Sequence, residues 1–585
     1  MFRKTASIQQ KKEPNLDLSK SIYCLVLAGV VIAIKLLWAE SVPASALFAD
    51  DYDSLNRAIF YHSDGIRASA EKYPFVQASA GLTYFLAISP WVYFDLEHRL
   101  FFVFFVNILL SGVSIYFCAR TIYKLAPNVS FVIPLCLASL ASLFQFSFYV
   151  MTENMLFAIL SVLVFLSVDF LKTVKSPFRL LTLLSVLGIA PITRHPGMAV
   201  LPGMLLVLWL NRRALSMRSM LTLTVLLISA TLVPYAWYVS LFGTSRESKY
   251  IDALSSTLSD LGNWFFIFKL TLSQLMYLTF ASGIWLLPFL LLAVFYHQNL
   301  AKADSERWRN FLGFILPTVF AFVGFCMIHM IAKVIVHGAV VDSSPWFPYG
   351  RYIDPAVLLC VCGGLASLAI VPTLKKYLRV LVQIGVPLLF VVLLMYFNGG
   401  HWVPINYAGI SMFAKTSIQF QRFDMFSFWL LLFVITAFLC HSQKYRVLTI
   451  AIFVLFFNLL NIHFGMNYTI KRARNIEGAL VAANWIDKNI DVDSSICYDF
   501  NVIARPAPRG IKKMGVHFKA MMFRTYPRDF VLARDRNDLE QCDYFYTLRD
   551  VPQADAFDVA WKDKDFILFS LSQKLDSRDR IVEKS

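Results

Sequence analysis

Apolar blocks of nearly twenty residues recur along most of this chain, and they restrict it to one class of fold. Blocks such as residues 22–38, 99–120 and 352–371 are long enough to cross a bilayer as helices. In lipid the backbone N–H and C=O groups must be satisfied inside the segment, which excludes open strands. Of the 585 residues 58% are hydrophobic and 16% charged, where a soluble domain carries about a quarter charged. The formal charge of +16 would invite nucleic acid in a soluble chain. Among apolar blocks it is explained by basic cytoplasmic loops, so the bilayer is the expected partner and nucleic acid is not.

The fold expected is an all-α polytopic membrane bundle of about thirteen transmembrane helices, with a small C-terminal α/β soluble domain. Spans are expected near 22–38, 99–120, 129–150, 154–171, 178–193, 197–210, 219–241, 279–297, 311–333, 352–371, 380–398, 426–441 and 447–463. No small-residue cleavage site follows Trp38, so the first span reads as a retained helix rather than a signal peptide. With the N-terminus inside, every inside segment is basic: Arg3 and Lys4, Arg120 and Lys124, Lys172 and Lys175, Arg212 and Arg213, Lys302 with Arg307 and Arg309, Lys375 with Lys376, and Lys444 with Arg446. An error of one span would spoil that alternation. The expected division is a cytoplasmic tail over 1–21, a transmembrane domain over 22–463 that includes a long first external loop over 39–98, and an external soluble domain over 464–585.

Residues 475–490 carry a helical pattern, and strand-like runs follow at Ile496–Phe500, Tyr544–Thr547 and Phe566–Leu571. Cys497 and Cys542 both fall in this region, and spacing alone leaves their pairing open. Cys360 and Cys362 lie in an apolar helix and read as small apolar residues.

The first external loop is too long for a mere connector. It holds Asp50, Asp51 and Asp53, then Glu71-Lys72-Tyr73-Pro74. Three neighbouring carboxylates repel one another, which raises a proton affinity or recruits a cation. One of them could act as general base on a hydroxyl or help hold a divalent metal; the same residues also suit a solvated turn that caps a surface helix. Glu153 stands where the third and fourth spans turn at the outer face, and Arg194 and His195 fill the turn between the fifth and sixth. An external arginine runs against the charge rule, and a lipid phosphate is a natural partner; a snorkelling arginine bound to headgroups is the plainer use. Arg351, flanked by Tyr349 and Tyr352, opens the tenth span on the same face. Carboxylates and arginines on one side are the inventory for breaking a sugar–phosphate bond: a base deprotonates the acceptor and cations stabilise the leaving phosphate.

These segments, in this order, resemble the GT-C superfamily of membrane glycosyltransferases, in the branch of protein O-mannosyltransferases and lipid A aminoarabinose transferases. Asp50-Asp51 is similar to that family's Asp-Glu after the first helix, with Asp in place of Glu. Glu71-Lys72-Tyr73-Pro74 resembles its Glu-Lys-Pro-Pro, and Arg99-Leu100, Thr152-Glu153, Thr193-Arg194 and Gly350-Arg351-Tyr352 with Pro355 have counterparts. The resemblance implies a polyprenyl-phosphate sugar donor, inverting transfer, and a lipid, glycan or protein acceptor. It implies Asp50 as base, with Asp51 and Glu153 as further catalytic candidates and Asp53 as a rival, and Lys72, Arg194 and Arg351 as phosphate contacts. His195, Tyr349 and Tyr352 are further cavity candidates. Some members hold a metal near the first-loop carboxylate; Asp50 and Glu153 would be its ligands here, in an incomplete set, and no other cofactor is expected. The implied location is a bacterial inner membrane, with the N-terminus cytoplasmic and the C-terminus external.

Two other classes compete. A lipid or glycan transporter would place charges near the bilayer midplane on broken helices of two related halves, whereas no internal repeat is present and the charges gather at one face. A non-catalytic scaffold leaves the acidic first loop unexplained.

Overall fold

The computed structural model describes residues 14–42, 52, 54–56, 58, 81–94, 98–242, 259, 264–283, 286–336, 350–371, 408, 446–472, 477–501, 514–526, 528, 530–535, 537–548, 558–563 and 566–571. The expected spans at 380–398 and 426–441 lie outside them, as do Asp50, Asp51, Asp53, Lys72 and Tyr349.

Helices α1 (Pro14–Ala39), α2 (Leu82–Ile88), α3 (Arg99–Leu125), α4 (Val132–Ala138), α5 (Ala141–Phe146), α6 (Glu153–Val168), α7 (Phe170–Lys175), α8 (Pro177–Thr193), α9 (Val200–Leu210), α10 (Met217–Phe242), α11 (Trp264–Ala281), α12 (Leu286–Tyr296), α13 (Lys302–Val336), α14 (Gly350–Ser367) and α15 (Arg446–Arg472) form a bundle. Among the described residues five helices are long and apolar enough to cross a membrane: Leu18–Ala39, Arg99–Leu125, Met217–Ser240, Lys302–Ile331 and Val447–Asn467. A sixth span is possible if α11 and α12, which meet at a bend of 92°, count as one. Their apolar length makes the chain a multi-pass membrane protein. Helix α14 is buried over almost its whole length and packs on α12, α13 and α11, while α3 packs on α1 and α6.

The bundle has two unlike ends. At one, Asp169 after α6 pairs with Lys124 of α3 at 3.0 Å and Arg307 of α13 at 3.3 Å, with Lys172 at 3.9 Å. Asn310 donates to the Val168 carbonyl at 3.3 Å beside it. Three basic segments expected on one side of the membrane thus meet around one carboxylate. At the other end lie the start of α6, the end of α8 and the start of α14.

The expected single span over 129–150 is instead two short helices, α4 and α5, followed by an irregular stretch to Thr152. Broken backbone inside a bundle needs partners, and other helices supply them. Asn458 of α15 accepts from the Ala141 N–H at 3.0 Å. Lys35, wholly buried on α1, donates to the Leu143 carbonyl at 2.8 Å, to Ser147 Oγ at 3.0 Å and to Ser111 Oγ. Asn107 of α3 donates to the Tyr149 carbonyl at 2.9 Å and accepts from Tyr84 of α2 at 2.8 Å. The expected span 279–297 is also revised: Gly283, at φ 82°, turns the chain between α11 and α12.

After α15 come α16 (Glu477–Asn489), β1 (Ile496–Asp499), α17 (Met514–Thr525), β2 (Phe530–Ala533), β3 (Tyr544–Leu548), β4 (Asp558–Lys562) and β5 (Phe566–Ser570). The sheet order is β2-β1-β3-β5-β4, parallel across β2, β1 and β3 and antiparallel across β3, β5 and β4. Strand alternation sends Ile496 and Tyr498 into a core with α16 and α17. Cys497 faces the other way and forms a disulfide with Cys542, 45 residues on. Arg528 closes the end of α16, donating to the Ile490 carbonyl at 2.7 Å and the Ser494 carbonyl at 3.3 Å. The core around these helices is continuous with Tyr52, Leu55, Trp91, Val103 and Phe104, so the C-terminal domain shares its hydrophobic core with the first loop and the end of the bundle that bears Glu153.

Candidate active site

Three turns of the chain converge at that end. Helix α8 carries Pro191 in its last turn, and at Arg194 the backbone leaves helical geometry for φ −164°, ψ 138°. The extended backbone turns the arginine out of the α8 ladder. Gly197 then lets the chain fold back against the Ala190 carbonyl, where any Cβ would collide. Helix α6 begins at Glu153, and α14 begins at Gly350, one residue before Arg351.

Glu153 is fully buried, and each of its oxygens faces a different guanidinium: Oε2 takes Arg194 Nη1 and Oε1 takes Arg351 Nε. Thr152 Oγ1 donates to Oε2 at 3.3 Å and accepts from Arg194 Nη1 at 3.3 Å. The Arg194 guanidinium lies 4.3 Å from the centroid of the Tyr352 ring, and that ring stacks on His329 at 4.3 Å. His195 is turned toward α10, its Nδ1 3.2 Å from the Tyr235 hydroxyl. Two cations share one anion, so the cluster keeps one net positive charge. Arginines are well suited to this, since a guanidinium that grips a carboxylate still has N–H groups for a second anion.

The long segment between α1 and α3 reaches the same place. Gly81, at φ 149°, donates its N–H to the Ile192 carbonyl at 2.9 Å, and a Cβ there would strike the Phe85 ring. Two residues on, the Thr83 and Thr193 hydroxyls stand 2.5 Å apart, next to Arg194. Of the residues singled out from the sequence, Glu153, Arg194, Arg351 and Tyr352 therefore come together, and His195 lies beside them on Tyr235.

Sequence reading passed over several neighbours. Tyr277 of α11 donates to Asp354 Oδ1 at 2.8 Å, one turn along α14 from Arg351, and Asp354 Oδ2 has no hydrogen-bond partner among the described residues. Gly350 makes room for Tyr277, because a Cβ would occupy the ring. The signal for Asp354 was available: an acid inside an apolar helix is rarely idle. Nothing marked Tyr277 or Thr83.

Glu153 does not fit a metal ligand, since both its oxygens are engaged by guanidinium groups whose charge opposes a second cation. No group of three or more metal-ligating side chains occurs among the described residues.

Two solved structures resemble the chain over nearly its whole length. They are crystal structures of ArnT from Cupriavidus metallidurans, in the apo state and bound to undecaprenyl phosphate. The first is 11% identical and the second 12%, each with a TM-score of 0.49 over 93% of this chain and 97% of the other. A likeness this distant decides neither the fold nor the chemistry. No family model and no curated protein matches the chain.

Proposed function

We propose that this chain is a GT-C-type membrane glycosyltransferase that moves a sugar from a polyprenyl-phosphate donor to an acceptor hydroxyl on the non-cytoplasmic face. The observation that carries this reading is the buried Glu153 held between Arg194 and Arg351. A lone structural ion pair needs one cation. A second arginine on the same carboxylate, from another helix, builds an electropositive pocket suited to a phosphodiester. The ordered motifs from Asp50-Asp51 to Gly350-Arg351-Tyr352 support the same family.

In the proposed reaction the acceptor hydroxyl oxygen attacks the anomeric carbon from the face opposite the phosphate. The anomeric C–O bond to phosphate breaks, its electron pair leaves with polyprenyl phosphate, and Asp50 takes the hydroxyl proton. Arg194, Arg351 and Lys72 would bind the departing phosphate. Glu153, with both oxygens engaged, serves as counter-ion that aims the two arginines rather than as a base. Lys35 is the charge a transporter would need deep in the bundle, but its hydrogen bonds go to the broken α5 segment and to Ser111 of α3.

The proposed topology has about thirteen spans, a cytoplasmic tail over 1–21, a membrane domain over 22–463 and an external domain over 464–585, in a bacterial inner membrane. The Cys497–Cys542 disulfide favours an oxidising, external compartment for that domain. Mass spectrometry of cell-envelope glycans from cells with wild-type protein, Asp50→Asn protein or none tests the activity. One sugar modification should disappear without the protein and stay absent with Asp50→Asn. Identical glycans in all three strains refute the reading.

A further inference from the structure

The C-terminal domain touches the first external loop at one face of α17. Residues 519, 523 and 526 succeed one another at helical spacing, and each meets the membrane domain. Asn56 donates through Nδ2 to the Lys519 carbonyl at 3.2 Å. The Phe523 ring packs against the buried Trp91 at 4.9 Å and Tyr52 at 6.1 Å, and Tyr526 meets Trp91 at 5.7 Å. Arg99, the first residue of α3, grips the end of α17: Nη2 donates to the Tyr526 carbonyl at 2.9 Å and Nη1 to the Phe523 carbonyl at 3.4 Å. Its Nε holds Phe94 at 3.1 Å, and its guanidinium lies over Trp91 at 5.4 Å. The last carbonyls of a helix lack partners of their own and carry partial negative charge, so a cation satisfies both needs.

Tyr52, fully buried in this contact, is bonded in the chain to Asp51 and Asp53, and lies two residues from Asp50. We propose that the C-terminal domain is a positioning element of the reaction centre: α17, clamped by Arg99, holds Tyr52 and Asn56, in the stretch of sequence that carries the acidic run. This rests on the activity proposed above. Arg99 and Phe523 touch no substrate in this scheme; they act through the loop. A displacement of about 1 Å at a reacting group costs up to a hundredfold in rate, so a contact distant from the phosphate pocket can control turnover.

The test compares turnover with donor-lipid binding in the full-length protein. Arg99→Ala and Phe523→Ala should each lower turnover at least tenfold, while affinity for undecaprenyl phosphate stays within twofold of wild type. Arg99→Lys should recover part of the loss, because an ammonium reaches one carbonyl. Asn56→Ala removes one hydrogen bond and only a small buried side chain, and should lower turnover about threefold. Trypsin should cut the first loop faster in all the Ala variants. Wild-type turnover in Arg99→Ala and Phe523→Ala, or a loss of undecaprenyl phosphate binding equal to the loss of turnover, overturns the proposal. Failure of the phosphate pocket itself reads differently: Arg351→Ala would then leave undecaprenyl phosphate affinity unchanged.

Discussion

Replacing Glu153 by Gln keeps the side chain's shape and deletes the one negative charge between Arg194 and Arg351. Neither arginine is well exposed, at 8% and 14%, so water recovers little of what is lost. Removing one partner of a buried pair costs about 3–5 kcal/mol; partial solvent access favours the lower end. For a chain this long, about 3 kcal/mol lowers the melting temperature by roughly 2–3 °C. The same change raises the net charge of the cluster from one to two. A phosphate about 7 Å from the former carboxylate, at an effective dielectric of about 20, is relieved of about 2 kcal/mol of repulsion. Undecaprenyl phosphate should therefore bind Glu153→Gln roughly thirtyfold more tightly and restore most of its lost melting temperature. Thermal unfolding in detergent, with and without that lipid, measures both effects. An unchanged melting temperature, or weaker lipid binding in the variant, would refute the argument that the carboxylate is a counter-ion in a phosphate pocket.

Gly350→Ala should push the Tyr277 ring off α14 and cost about 1–3 kcal/mol by overpacking, with transfer falling in parallel because Arg351 is the next residue; a circular dichroism melt and the glycan assay check both. In the C-terminal domain, burial against Phe566 pushes the His517 imidazole down to about 3 from its usual 6.5. The folded state therefore binds fewer protons than the unfolded one below pH 6.5, so stability is full above that pH and drains away as pH falls toward 3. At pH 5 the loss is about 2 kcal/mol, and His517→Phe should flatten the pH dependence of unfolding between pH 6.5 and 5. Cys497→Ser opens a disulfide that closes a 45-residue separation and should destabilise that domain by about 4 kcal/mol on a chain-entropy estimate, read as earlier unfolding of the wild type under reducing conditions as well.

Among the described residues hydropathy located the five longest helices, because burial in lipid demands the same apolar length wherever a helix crosses. It failed where the backbone breaks inside an apolar run. Between α4 and α5 the chain stays hydrophobic, and only partners far along the chain, Lys35 and Asn458, hold the open backbone. At Gly283 a single positive φ splits what reads as one block, so α11 went unseen and α12 was drawn too long. Strands β2 and β4 were also missed: Phe530–Ala533 is too short to show alternation, and Asp558–Lys562 is largely exposed at an edge. Charge was the better guide to the site. Glu153, Arg194 and Arg351 each stood out as ions at a membrane boundary, and the fold brings them into one cluster. Tyr277 and Thr83 could not be found that way, because a neutral hydroxyl in a helix carries no such signal.

Helix α6 has 16 residues and α9 only 11. At 1.5 Å per residue α6 rises about 24 Å, some 6 Å less than an undeformed hydrocarbon layer of about 30 Å. Its far end is fixed among the charges around Asp169, so the shortfall belongs to the end that bears Glu153. Because α6 is buried inside the bundle rather than facing lipid, the start of α6 sits below the level at which a full span of about 30 Å would end. On the function proposed above, a lipid-borne phosphate would have to dip below the headgroup level to meet Arg194 and Arg351, drawing the first carbons of its tail in beside them.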